Sequence, residues 1–291
     1  MADAIIIGAG PAGASCALWL ARFGHNPILA DMRGAAGGLL NDSPFRNDWI
    51  VTQPGVTGPD LAEGIGLALA AAGVPMLLGA RAVAVTRGKD GFDVAFDTSS
   101  GKLEALSAPN LVIATGVRAR TGGFEAGDRV LIGPGAHIAA HDFAGRSVAI
   151  LGGGDNAFEN YEFVKRAGAA AAHIYARTVR AGRMFTDRAE LHDIRTGNYD
   201  ADGAACAVNG QPYDALLVMY GWEPMPVFAD ELGLKRNEKG FVSVDFATCE
   251  TSAPGVFAIG EVAARSHPSA VTAMADGIAA AKAIQRRIES A

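Results

Sequence analysis

Two glycine clusters, and the charged residues that follow them, hold the chemistry that can be read from residue type and spacing. Gly8-Ala9-Gly10-Pro11-Ala12-Gly13 is a complete G-x-G-x-x-G. The apolar run Ala4-Ile5-Ile6-Ile7 precedes it and a helical stretch, Ala14 to Phe23, follows. In such a unit the first glycine makes the turn out of the strand. The second lets the backbone approach a pyrophosphate, and the third lets helix and strand pack closely. The N–H groups at the helix start then hold the anion. A second strand, Pro27 to Ala30, ends in Asp31, 18 residues past Gly13, near the ~20 expected for an acid that takes a ribose hydroxyl.

The device recurs 144 residues later as Gly152-Gly153-Gly154-Asp155-Asn156-Ala157. A strand from Arg146 to Leu151, a helix from Phe158 to Ala167 and a strand from Ala171 to Ala176 frame it. Here the second strand runs into Arg177, with Arg180 and Arg183 following. Guanidinium groups suit a 2′-phosphate rather than a 2′-hydroxyl. Two such sites in one chain imply two nucleotides facing each other, the arrangement that hydride relay requires.

The elements that must position these loops are those of a two-domain α/β protein. The chain has 291 residues, 49% of them hydrophobic and 19% charged, enough for a sizeable core without staples. Its 37 glycines show no collagen-like period, so they mark specific turns. A formal net charge of −6 argues against nucleic-acid and anionic-membrane partners. Cys16, Cys206 and Cys249 are too scattered for a disulphide framework or a zinc site. Neither a secretory leader pattern nor an apolar run of ~20 residues is seen, which gives a cytoplasmic expectation. The Ala/Gly-rich run Leu61 to Gly73 reads as a core helix, and Ala270 to Glu289 as a last helix buried on its small residues.

Further residues carry a resemblance over nearly the whole length, in order. They are Gly37-Gly38-Leu39, Pro54-Gly55-Val56-Thr57-Gly58, Ile113-Ala114-Thr115-Gly116, Glu159 within the second glycine unit, Gly221 with Pro224, and Pro254-Gly255-Val256-Phe257-Ala258-Ile259-Gly260-Glu261-Val262. With the two glycine motifs, the chain resembles the low-molecular-weight thioredoxin reductase group of FAD- and NAD(P)H-dependent oxidoreductases. That resemblance implies two Rossmann-like three-layer domains, the NAD(P)H domain inserted into the FAD domain. The FAD domain would be residues 1–118 with 224–291 and the NAD(P)H domain residues 119–223, hinged at the turn-rich stretches Arg118 to Gly123 and Trp222 to Pro226. It also implies a homodimer.

On the resemblance, FAD is held by Gly8, Gly10, Pro11, Ala12, Gly13, Asp31, Gly38, Leu39 and Thr52. The same set continues through Ala114, Thr115 and Gly116 to Gly260, Glu261, Ser269, Ala270 and Val271. NADPH is held by Gly152, Gly153, Gly154, Asp155, Asn156, Glu159, Arg177, Arg180, Arg183 and Gly221. NADPH is favoured over NADH because Arg177 stands where an NADH site presents an acid; a solvated basic turn is the alternative. The last helix would direct its N-terminus at the flavin, where its dipole stabilises negative charge.

The departures bear on the reaction. The group's redox-active C-x-x-C is replaced by Gly135-Ala136-His137-Ile138, and thiol–disulphide exchange needs a thiolate and a resolving partner. The chain is therefore not expected to reduce thioredoxin. Cys16 reads as a small buried apolar residue rather than a reactive thiol. His137 and His141 stand in the replaced segment, either as proton donors at the flavin or as loop histidines. Glu261 stands for the group's aspartate, and His267-Pro268-Ser269 replaces its arginine–glutamine pair. The expected function is an FAD-dependent NADPH oxidoreductase passing electrons to an unknown small molecule or small redox protein, similar to cysteine-free relatives that act as ferredoxin–NADP reductases. An FAD-dependent oxidase or dehydrogenase of a small metabolite and a non-catalytic redox sensor stay open.

Overall fold

The computed structural model describes residues 2–98, 101 and 103–290. The chain forms two compact units, residues 1–117 with 224–291 and residues 118–223.

In the first unit, β1 (Ala4–Ile7) leads through the glycine loop into α1 (Pro11–Arg22) and then β2 (Pro27–Asp31). Helix α1 begins three residues earlier than the expected Ala14. Gly10 is its N-cap and Pro11 its first residue, a position where a missing N–H costs nothing and the fixed φ is already helical. There follow α2 (Gly58–Ala71), β3 (Met76–Leu78), β4 (Ala80–Arg87), β5 (Phe92–Thr98), β6 (Leu103–Ala108) and β7 (Leu111–Ile113).

The chain passes to the second unit and later returns along two hydrogen-bonded strands, Val117–Ala119 and Trp222–Pro224. The stretches expected to be turns thus contain a paired ribbon, with Arg120 N–H donating to Gly221 O (2.9 Å) and Arg118 Nε to Glu223 Oε1 (2.6 Å). The Arg118 side chain accordingly belongs with the second unit.

The second unit contains β8 (Val130–Ile132), the short α3 (Ala136–Ala139), β9 (Ser147–Leu151), α4 (Asp155–Arg166), β10 (Ala171–Ala176), the short α5 (Arg183–Thr186), β11 (Ile194–Thr196) and β12 (Ala215–Val218). Helix α4 also starts three residues before the expected Phe158, because Gly154 caps it and Asp155 places a carboxylate in its first turn. After the return, β13 (Val256–Ala258) and α6 (Ala270–Glu289) complete the first unit.

Each unit is built on a five-stranded parallel sheet. The orders are β13-β7-β1-β2-β3 and β8-β12-β9-β10-β11. A sheet covered on both faces reads as a continuous apolar run, and β1 divides its side chains accordingly. Ala4 and Ile6 join the core under α1 and α6, while Ile5 and Ile7 join the core under the antiparallel β4-β5-β6. In the second unit Val148 and Ile150 pack toward α4. Ala149 and Leu151 pack toward a small antiparallel meander of Ala201–Asp202, Ala207–Val208 and Gln211–Pro212. No helix among the described residues is long and apolar enough to cross a membrane.

Candidate functional site

The first glycine loop is fixed from three sides. Gly8 N–H donates to Ala30 O (2.8 Å), Ala114 N–H to Ile7 O (2.8 Å) and Gly37 N–H to Ala9 O (2.8 Å). Gly8 has φ +111°, and a Cβ there would lie 2.2 Å from Ala114 O, so only glycine makes this turn. Gly13 is equally constrained, its would-be Cβ 1.9 Å from Gly8 O. Gly10 differs: the nearest atom to a Cβ there is Gly38 Cα at 3.9 Å. Gly10 and Gly38 thus approach backbone to backbone, a Cβ on Gly38 lying 3.0 Å from Gly10 Cα, and the protein places no side chain over Gly10. Asp31, 8% exposed, accepts Ala9 N–H on Oδ2 (2.6 Å) and Arg33 N–H on Oδ1 (2.7 Å). Each oxygen retains a lone pair for a ribose hydroxyl.

At the end of β7, beside this loop, the hydroxyl of Thr115 is buried with no hydrogen-bond partner. Leaving such a group unpaired costs about 1–3 kcal/mol, which a ligand at the loop would recover. The uncovered Gly10 and the orphaned hydroxyl together fit a dinucleotide, and Gly10, Gly38, Asp31 and Thr115 lie at one loop. Leu39 is 39% exposed, and Thr52 lies in an exposed turn.

Gly260 and Glu261 open a 3-10 turn after β13. Glu261 is half-buried, and burial pushes its carboxyl above the ordinary carboxylate range. Ser269 caps α6 by accepting Thr272 N–H (3.1 Å), which leaves the N–H groups of Ala270 and Val271 at the open end of the helix.

An arrangement absent from the sequence reading holds this turn in place. Asp276, in α6 and 2% exposed, accepts Gly260 N–H (3.1 Å) and Arg265 Nε (2.9 Å). Arg265 in turn donates through Nη1 to Phe246 O (2.6 Å) and lies over the Phe246 ring at 4.8 Å. Asp276 escaped notice because α6 otherwise reads as a helix of small apolar residues. An acid buried on such a face with an arginine 11 residues upstream is the one signal it offers.

The second loop repeats the construction. Gly152 N–H donates to Tyr175 O (2.9 Å), and a Cβ on Gly152 would lie 2.3 Å from Met219 O. A Cβ on Gly154 meets nothing within 4 Å, so here too the second glycine is kept for something other than the protein. Gly153 O accepts the N–H groups of Arg180 (2.6 Å) and Ala181 (3.0 Å), and Asp155 Oδ1 accepts Gly182 N–H (2.8 Å). The segment after β10 is thereby tied to the loop. The side chains of Arg177, Arg180 and Arg183 are exposed and form no ion pair among the described residues. Asn156 O accepts from the buried Asn160 (2.7 Å). Glu159 is exposed, and desolvation together with Asp155 and Glu162 raises its pKa. Gly221 sits in the connecting ribbon at φ +84°.

His137 lies exposed on α3. His141 is set into the second unit's own packing, its ring 4.7 Å from that of Phe143 and its Nε2 buried without a partner. Burial, then the charge of Arg146, holds its pKa below the ordinary value. Burial and then Arg195 do the same to His173, whose Nδ1 meets Tyr213 OH at 2.8 Å. A histidine with a lowered pKa binds fewer protons folded than unfolded. Its share of stability is complete above the unfolded value of about 6.5 and is lost as pH falls through the folded one. The urea midpoint is expected to drop between pH 7.5 and 5.5, and His141→Phe to drop less. An unchanged slope in that variant would place the acid sensitivity elsewhere.

The three cysteines are free and buried. Burial raises all three thiol pKa values, Cys249 to about 11 and Cys16 further. None is a thiolate near neutral pH.

The pyridine nucleotide-disulphide oxidoreductase family matches residues 2–277. The thioredoxin reductase of Listeria monocytogenes is 29% identical over 324 residues, covering 99% of this chain and 94% of the relative. The ferredoxin–NADP reductase of Granulibacter bethesdensis is 29% identical over 299 residues, covering 90% and 81%. Among solved structures, Lactococcus lactis thioredoxin reductase (FR conformation) superposes with a TM-score of 0.83 over all of both chains at 22% identity.

Proposed function

Because the chain belongs to the pyridine nucleotide-disulphide oxidoreductase family, we propose that this oxidoreductase binds FAD in its first unit and NADPH in its second, and delivers electrons to an acceptor without using a protein disulphide. The observation that carries the reading is the state of the cysteines: three buried thiols held protonated, in a chain with no C-x-x-C. A thiol of that kind neither attacks a disulphide nor resolves one. A relative bearing the name ferredoxin–NADP reductase supports an acceptor other than a disulphide.

When bound, the flavin supplies hydride acceptance from the nicotinamide and onward electron transfer. The chain's own residues bind and orient. Gly10 and the first N–H groups of α1 take the FAD pyrophosphate, Asp31 the adenosine ribose, and Glu261 the ribityl chain. Gly154 and α4 do the same for the NADPH pyrophosphate. Asp276 holds the Gly260–Glu261 turn at its backbone. His137, exposed on α3, is the proton donor in this reading; His141, with its Nε2 buried, is not free to serve beside it.

The purified protein is expected to be yellow and to bleach on anaerobic mixing with NADPH. A colourless protein that takes up no added FAD would end the proposal, and bleaching by a metabolite alone would move it to the oxidase or dehydrogenase class. A screen of ferredoxin, quinones, disulphides and oxygen after NADPH reduction identifies the acceptor. A second expectation concerns the dinucleotide. Arg177→Ala should raise the KM for NADPH about tenfold or more and that for NADH less than about twofold, the loss of one charge-assisted phosphate contact. Equal changes would remove Arg177 from phosphate binding.

A further inference from the structure

The second unit contains a cavity of about 280 Å³ at the carboxyl-terminal ends of β10 and β11, roofed by the small meander. Its walls include the rings of Tyr175 and Tyr199, whose centroids are 5.7 Å apart, and its polar groups come from Arg195, Asn198, Asn209 and Gln211. No Asp or Glu lines it, in a chain with 31 acidic residues against 25 basic ones. Arg195 is exposed, packs over the Tyr175 ring at 5.7 Å and forms no ion pair among the described residues. Asn209 spends its Oδ1 on Asp200 N–H (2.8 Å), which turns its amide N–H groups into the available donors. A carboxylate-free cavity with an unpaired guanidinium, amide donors and two aromatic rings suits an anion attached to a planar body.

Its position says which anion. Tyr175, one wall, accepts the N–H of Gly152 in the glycine loop. Gly197, another, donates to Ala176 O (3.0 Å), immediately before Arg177. In a fold of this topology the adenosine ribose of a bound dinucleotide lies at the end of the second strand of the βαβ motif, here β10. The volume is below the ~300–1,000 Å³ of a site that encloses a whole drug-sized ligand, so one end of a dinucleotide is what it accommodates.

We propose that this cavity receives the 2′-phosphoadenosine end of NADPH, with Arg195 as a second phosphate-reading cation beside Arg177 and Asn198 as its hydrogen-bonding neighbour. The inference rests on the NADPH reading of the second unit and adds to it the residues of the next strand and its following turn. Arg177 lies on an exposed turn where a guanidinium is readily shared with solvent. Arg195 is backed by the Tyr175 ring, which restricts its rotamers and lowers the entropy lost when it meets a phosphate.

Calorimetric titration of the flavin-loaded protein with adenosine 2′,5′-bisphosphate and with adenosine 5′-monophosphate tests this. Arg195→Ala is expected to weaken the bisphosphate at least tenfold and the monophosphate less than twofold. Asn198→Asp, at an exposed position that adds a carboxylate without disturbing the core, is expected to weaken the bisphosphate by a similar factor at an unchanged Tm. If wild type binds the bisphosphate and both variants bind it equally well, the cavity assignment is overturned while the NADPH reading stands. If wild type does not bind the bisphosphate at all, both fall together. Loss of folding in Arg195→Ala leaves Asn198→Asp to decide.

Discussion

Replacing Gly10 by alanine is expected to give a folded protein that no longer holds flavin, whereas the same change at Gly13, three residues on, is expected to cost the fold. The two glycines belong to one motif but answer to different neighbours. Gly10 has φ −70° and ψ −179°, a conformation alanine adopts without strain, and the added Cβ would find nothing nearer than 3.9 Å. As a helix N-cap alanine is inferior to glycine by less than about 1 kcal/mol, so Tm should fall by a few degrees at most. The methyl group nevertheless occupies the uncovered space over Gly10, where in the proposed reading the pyrophosphate meets the N–H groups of the loop. Displacing a phosphate from two charge-assisted hydrogen bonds, at about 1.5–3 kcal/mol each, amounts to a loss of affinity of about 100-fold or more. Gly13→Ala instead drives a Cβ to within 1.9 Å of Gly8 O, backbone against backbone, where no side chain can swing aside. The overpacking cost is about 3 kcal/mol or more. Thermal unfolding, read with the ratio of flavin to protein absorbance, separates the outcomes. Wild-type flavin content in Gly10→Ala would show that Gly10 does not face the pyrophosphate. Gly154→Ala, with a Cβ that meets nothing within 4 Å, should do to the second nucleotide what Gly10→Ala does to the first.

That contrast also shows what a sequence can disclose. Both glycine loops, the strands before them and the acid or arginine after the next strand were legible, because a phosphate-binding turn is a local object whose residues lie within about 30 positions. The last helix, Ala270 to Glu289, was legible in its run of small residues on a buried face, while Ser269 as its cap emerges only from the structure. The starts of α1 and α4 were misplaced for a shared reason. A helix placed only after the glycine motif starts too late, because Gly10 and Gly154 are caps and Pro11 is a first helical residue. The connecting segments near Gly123 and Pro224 read as turns in composition, which carries no sign that they pair with each other across the intervening second unit. His141 and His137 looked equivalent by spacing. The Phe143 ring, which buries one and leaves the other exposed, distinguishes them only in three dimensions. The Arg195 cavity was invisible for a similar reason: its roof consists of two-residue strands with no periodicity to detect.

Removing Asp276 is expected to be the most damaging single change outside the glycine loops. Its carboxylate, 3% exposed at the side chain, is shared by Gly260 N–H and the guanidinium of Arg265, itself 15% exposed. Asp276→Ala leaves a largely desolvated guanidinium with only the Phe246 carbonyl and ring, and a buried N–H without a partner. Breaking a buried pair from one side costs about 3–5 kcal/mol, more than the pair adds over an apolar replacement, because the remaining charge has nowhere to go. The double change Asp276→Leu with Arg265→Met removes both charges and should regain most of that loss in urea unfolding. Flavin binding should not follow stability. Gly260 loses its anchor in both variants, so the turn carrying Glu261 is free to shift in each, and FAD affinity should stay reduced in the double variant although the fold has recovered. Dissociation of flavin, followed by the rise of its fluorescence, measures this separately from unfolding. A single variant within about 1 kcal/mol of wild type would mean that the pair is solvent-screened and structurally idle. A double variant that recovers flavin affinity along with stability would mean that Asp276 supports the core but does not position the turn.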